Sequence, residues 1–175
     1  APAYDEAVKL DPEGAGSTHA DIVPGKPVEV AAGVVRLTAP NPGMMTGPGT
    51  NTYVLGHKRF TVLDPGPDDA THIERILEFT GGAIDQVVVT HTHQDHSPAT
   101  VALKARTGCR VYGQLAPEGP AQDQTFSPDV EPVNGDLIVT EAGTLKALYT
   151  PGHASNHLCY LLLEQELLFS GDHIM

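Results

Sequence analysis

The stretch VVVTHTHQDHSPAT, residues 87 to 100, carries His91, His93, Asp95 and His96 within six positions. The chain has nine histidines in 175 residues, and three of them stand here. A β-branched run leads into the cluster. Alternate side chains of an extended segment share a face, which puts His91, His93 and Asp95 on one side. Neutral imidazole and carboxylate are ligands well matched to zinc, and imidazole suits iron as well. A polar loop that happens to be His-rich is the poorer account of four ligand-type residues at the end of an apolar run.

One strand end cannot complete a coordination sphere. Two further stretches repeat the same order of apolar run, small-residue turn and ligand. YTPGHASNH supplies His153, and LLFSGDH supplies Asp172. The remaining histidines read differently. His19 lies in a polar lead-in and His57 in a turn, so both are expected in solvent. His72 falls in the first turn of a helix and is expected to be exposed. His157 is expected to pack or hydrogen-bond, and His173 to point away from its neighbour Asp172 in a structural role. Cys109 and Cys159 form neither a disulfide framework nor a CxxC pair, and are expected to be buried free thiols.

The elements that must position these residues follow from pattern and punctuation. Residues 1–27 read as an irregular lead-in. PVEVAAGVVRLTAP reads as one strand. NTYVLG and RFTVLDPG read as a hairpin around residues 56–58. DDATHIERILEFTGG reads as a helix with an acidic start and a stop at Gly81, its apolar residues Ile73, Ile76, Leu77 and Phe79 at helical spacing. DQVVVT is a short strand of the doubly buried kind. SPATVALKARTG reads as a helix with Ser97 as N-cap, Pro98 at the first position and Gly108 as terminator. CRVYG is a strand, residues 114–131 a loop, and the remainder two hairpins, turning at Ala142-Gly143 and near residues 164–166. Strand–helix–strand units followed by hairpins indicate an α/β domain with a mixed sheet. In such folds ligands collect beyond the carboxyl ends of strands, where VVVT delivers its cluster.

Charge narrows the partners. With 22 acidic residues against 10 basic and a formal charge of −12, the chain lacks the cationic patches that grip phosphate backbones. A nucleic acid held at a metal site stays open, because bound cations can dominate the local charge. No apolar run approaches the roughly 18 residues of a membrane span, and no basic-apolar leader opens the chain, so a cytoplasmic protein without a membrane partner is expected.

Taken together, HTHQDH, TPGHASNH, FSGD and the VLDPG that carries Asp64 resemble the metallo-β-lactamase-fold hydrolase superfamily, from about residue 33 to the end. NPGMMTGPGTNTYVLG and SGDHIM are similar to the branch of lactamase-β-like protein 2, relatives of glyoxalase II and of acyl-carrier thioesterases. The resemblance implies an αββα sandwich, of which this chain supplies the first half and the opening strands of the second. It implies that His91, His93 and His153 hold one metal, that Asp95 and His96 hold a second, and that Asp172 bridges both. Asp64 would stand behind them, accepting hydrogen bonds that fix the metal-binding loop. Asp95 would also steer a proton to the leaving group, the one catalytic role assigned to a side chain.

The family supplies a further histidine for the second metal beyond the GD aspartate, and this chain stops three residues past Asp172. The expectation is a single, C-terminally truncated domain with an incomplete second site and little or no activity, whose exposed sheet edges could pair with another copy. The implied parent is a zinc-dependent hydrolase that uses a metal-bound hydroxide on a thioester or related ester. The competing readings are an RNA phosphodiesterase, a β-lactam hydrolase, a mononuclear iron sulfur dioxygenase and a non-catalytic module. Acidic charge disfavours RNA. Asp172, where one class of lactamase has Cys, disfavours lactams. His93, where flavin-linked di-iron relatives carry Glu, disfavours those enzymes.

Overall fold

The structure, a computed structural model, describes residues 7–9 and 22–173. His19 lies outside the described residues. Eleven strands among the described residues form two sheets. The first sheet has six strands in the order β2 (Val28–Ala31), β3 (Val34–Thr38), β4 (Asn51–Gly56), β5 (Phe60–Leu63), β6 (Ile84–Val88) and β7 (Arg110–Tyr112). Its first pairings are antiparallel, and β5, β6 and β7 run parallel. The connections between those parallel strands carry α1 (Ala70–Thr80) and α2 (Thr100–Thr107). The second sheet is antiparallel throughout, in the order β1 (Ala7–Lys9), β11 (Leu167–Phe169), β10 (Leu158–Leu162), β9 (Gly143–Tyr149) and β8 (Leu137–Thr140).

Two apolar layers hold this arrangement. Tyr53, Leu55, Leu63 and Val88 of the first sheet meet Leu145, Leu158, Tyr160 and Phe169 of the second, and Tyr53 and Phe169 cross edge to face at 5.1 Å. The other side of the first sheet packs Val62, Val87 and Val111 against Ile73, Ile76 and Leu103 of the helices. The order is therefore helix, sheet, sheet: the six-stranded sheet is mixed, as the α/β reading expected, and the second sheet is what the sandwich resemblance implied. A carboxylate also links the sheets at the surface. Glu141, in the β8–β9 turn, accepts the N–H groups of His57, Lys58 and Arg59 at 3.0, 2.9 and 3.1 Å in the β4–β5 turn.

Four local readings need correction. PVEVAAGVVRLTAP folds as two strands, because Gly33 takes a left-handed φ of 69° and turns β2 back on β3. The lead-in contains the strand β1, paired with β11. Neither Ser97 nor Pro98 opens α2: the helix starts at Thr100, after Ala99, with no side-chain cap, and the Ser97 hydroxyl donates to Asp123 Oδ2 at 2.6 Å. His72 is fully buried. Helix α1 is otherwise as expected, capped by Asp69, which accepts the His72 N–H at 2.8 Å, and stopped by Gly81 in the left-handed region. His57 is exposed, and Cys109 and Cys159 are buried free thiols, as their sequence context indicated.

Candidate metal centre

Strand β5 delivers Asp64 in a left-handed conformation, φ 51°, that few non-glycine residues adopt. The backbone around it is pinned: its N–H donates to Val88 O at 2.9 Å, and its carbonyl accepts the Thr52 hydroxyl at 2.7 Å. The fully buried carboxylate accepts the Thr90 N–H and the Thr90 hydroxyl, each at 2.7 Å, and faces His96 Nδ1 at 3.0 Å. Thr90 spends its hydroxyl proton on Asp64, so its oxygen takes the N–H of His91 Nδ1 at 2.9 Å. This pattern puts the proton of both imidazoles on Nδ1 and leaves both Nε2 lone pairs facing the site.

Those lone pairs meet the other ligand-type residues. His91, His93, His153 and Asp172 bring one ligand atom each to within 4.8 Å of one another, and Asp95, His96 and Asp172 do the same. His153 Nε2 lies 3.0 Å from His93 Nδ1 and 3.1 Å from Asp172 Oδ2. His91 Nε2 lies 3.6 Å from the same Asp172 oxygen. The other Asp172 oxygen, Oδ1, lies 3.3 Å from His96 Nε2, which is also 3.3 Å from Asp95 Oδ2. Asp172 thus turns one oxygen to each cluster. His91 Nε2 is buried and has no hydrogen-bond partner, an arrangement that costs free energy unless an ion fills it. The donor set fits a divalent cation on that ground.

The charge states suit the same ligand. Burial pushes the pKa of His91 down to about 4, and the neighbouring His96 acts in the same direction. Burial and then His153 lower that of His93. Burial works against charge on Asp95, but His96 outweighs it and takes the pKa down to about 2. At Asp172 burial also opposes the charge, and His96 and His91 hold the carboxyl well below its usual range. Neutral His91 and His93 beside ionised Asp95 and Asp172 are forms that bind cations.

The fold brings together every residue expected at the site: His91, His93, Asp95, His96, His153 and Asp172, with Asp64 behind them. His157 packs flat on His91, ring centroids 4.9 Å apart, and bonds Thr150 Oγ1 through Nδ1 at 3.0 Å. His173 is exposed and joins neither cluster. Three contributors went unread in the sequence. Thr90 relays Asp64 to His91. Thr50 Oγ1 lies 3.4 Å from Asp95 Oδ2. Tyr160, on the opposite sheet, donates its hydroxyl to Val89 O at 3.0 Å and ties down the strand end that carries the cluster. Only Thr90 had a local signal, as the polar residue that closes the VVVT run.

Known proteins resemble this chain in sequence and in fold. The model of the metallo-beta-lactamase superfamily matches residues 45–175. Lactamase-like protein adaB of Aspergillus niger is 35% identical over 154 residues, covering 84% of this chain and 46% of its own length. Thioesterase pkgB of Emericella nidulans is 37% identical over 146 residues, covering 81% of this chain and 41% of its own. The chain thus spans less than half the length of these relatives. A metallo-beta-lactamase from Cronobacter sakazakii, a HARLDQ-motif mutant, superposes with a TM-score of 0.65 at 22% identity, over 81% of this chain and 62% of that one.

Proposed function

The chain belongs to the metallo-beta-lactamase superfamily, and on that premise we propose that it is the metal-binding part of a zinc-dependent hydrolase acting on a thioester or related ester. The observation that carries the reading is the buried, unpartnered Nε2 of His91, surrounded by His93, His153 and Asp172. Zinc bound there would supply an acidified water near neutral pH and a Lewis acid for the oxygen under attack. His91, His93, His153 and Asp172 would hold one cation, and Asp95, His96 and Asp172 the other. Asp64 keeps His91 and His96 in the tautomer that binds. Asp95, ionised and partly exposed, would relay a proton toward the leaving group.

The thioester class rests on the kinship with a protein named as a thioesterase and on the acidic charge, which opposes RNA. Among the described residues no helix is long and apolar enough to cross a membrane, and a cytoplasmic location is part of the proposal. So is a single domain, supported by the one core that both sheets share. Pairing with a second copy through β8, where Leu137 and Val139 are exposed, belongs to the proposal as well.

Metal analysis for zinc against iron, then side-by-side turnover of an acyl thioester, single-stranded RNA and a β-lactam by the whole protein, tests the reading. Zinc and chelator-sensitive thioester turnover are expected. Iron in place of zinc points to the dioxygenase reading, and RNA cleavage to the phosphodiesterase.

A further inference from the structure

His91 and His96 are oriented from behind by Asp64 and Thr90. His93 and His153 are not. Among the described residues, neither has its second ring nitrogen in a hydrogen bond, yet the nitrogens they turn to each other stand 3.0 Å apart. No hydrogen bond from behind among the described residues fixes either ring, so the backbone that carries them bears on their spacing, and the two lie in segments 60 residues apart in sequence.

The contact that joins those segments is Thr92. It stands between two of the candidate ligands, so alternation turns its side chain away from theirs, and it is fully buried. Its hydroxyl donates to Gln122 Oε1 at 2.7 Å and accepts Asn156 Nδ2 at 2.8 Å. Asn156 follows His153 by three residues, and the same Nδ2 reaches Leu115 O at 3.2 Å. Gln122 pairs through its backbone with His93, and the next residue donates its N–H to Thr92 O at 2.7 Å. A single hydroxyl therefore closes three segments: the His91–His96 stretch, the His153 turn and the 114–131 loop.

We propose that Thr92, clasped by Asn156 and Gln122, is the positioning residue that sets the spacing of His93 and His153. Thr92 touches no substrate and holds no cation. It acts by fixing where two strand ends stop relative to each other. The inference rests on the reading that His91, His93 and His153 bind a cation.

The test is a cobalt(II) titration of the metal-stripped protein, read by the intense visible bands of a four-coordinate, nitrogen-rich site. Thr92→Val keeps the shape and removes the hydroxyl. It is expected to weaken cobalt binding roughly 10–100-fold, the usual range for residues that orient ligands. Thr92→Ser, which restores the hydroxyl, is expected to recover most of it, an outcome that general loosening does not give. Asn156→Ala removes the other end of the clasp and serves where Thr92→Val fails to fold. Combined with Thr92→Ser it is expected to match Asn156→Ala alone. Thr92→Val or Asn156→Ala binding as tightly as wild type overturns the inference while the metal reading stands. Failure of Thr92→Ser to recover affinity also overturns it. A wild-type protein that shows no cobalt bands overturns the metal reading, and the inference with it.

Discussion

Asp64 Oδ2 stands 3.0 Å from His96 Nδ1, and both side chains are buried. The same carboxylate holds the hydroxyl that orients His91. One anion thus sets the proton on an imidazole in each cluster, directly in one and through Thr90 in the other. Asp64→Asn keeps the volume but brings an N–H₂ to where Thr90 and His96 already donate. Zinc affinity, measured against a competing chromophoric chelator, is expected to fall roughly 10–100-fold. Unchanged affinity in a folded variant means that Asp64 does not govern the tautomers.

Gly171 is the hinge that aims Asp172. Its φ is 51°, and a Cβ there would stand 2.6 Å from His157 Nε2 and 2.8 Å from Thr90 Oγ1. Gly171→Ala must move either the turn or two buried side chains. A loss of about 1–3 kcal/mol in urea unfolding is expected, with cation affinity lowered at least about tenfold because Asp172 leaves both clusters. A variant with wild-type affinity contradicts the placement of Asp172 between them.

His72 gives the fold a pH dependence of its own. Its Nε2 lies 2.9 Å from Thr52 Oγ1, and burial pushes its pKa down to about 4 from an ordinary 6.5. The folded value lies below the unfolded one. Between pH 6.5 and about 4 the unfolded chain therefore binds a proton that the folded chain refuses. The stabilisation is complete above that window and is lost as pH falls through it, on the order of 3 kcal/mol for this one group. His91 and His157 are depressed by burial too, so the diagnostic quantity is a difference. Without metal, the drop in unfolding free energy from pH 7 to 4.5 is expected to be smaller in His72→Gln than in wild type. Equal drops in the two proteins contradict the burial of a neutral His72.

The cluster was legible because its chemistry is local. Residues two apart in an extended run share a face, and the strand–turn–ligand order repeats at His153 and Asp172. What stayed hidden depends on contacts that sequence spacing does not carry. Thr92 meets Asn156 across 64 positions, and nothing in either segment announces the other. Its place in the first helical turn predicts an exposed His72. Yet His72, Ile76 and Thr80 recur every four residues and are all buried, so the stripe could have been traced one turn further back. Phe79, counted with the apolar stripe, lies off it and is 37% exposed. Ser97 before Pro98 carries a sound capping signal, but the helix begins at Thr100, past both, and the Ser97 hydroxyl donates across to Asp123. Gly33 was hidden by the valines on either side, which read as continuous.

The central claim is that three strand ends converge to grip a cation. Its most direct test is anomalous diffraction at the zinc edge from crystals grown with zinc. The account predicts a peak about 2.0–2.1 Å from His91 Nε2, His93 Nδ1 and His153 Nε2 together. A map with no peak there, or with zinc bound only at surface residues while His91 Nε2 stays bare, contradicts it.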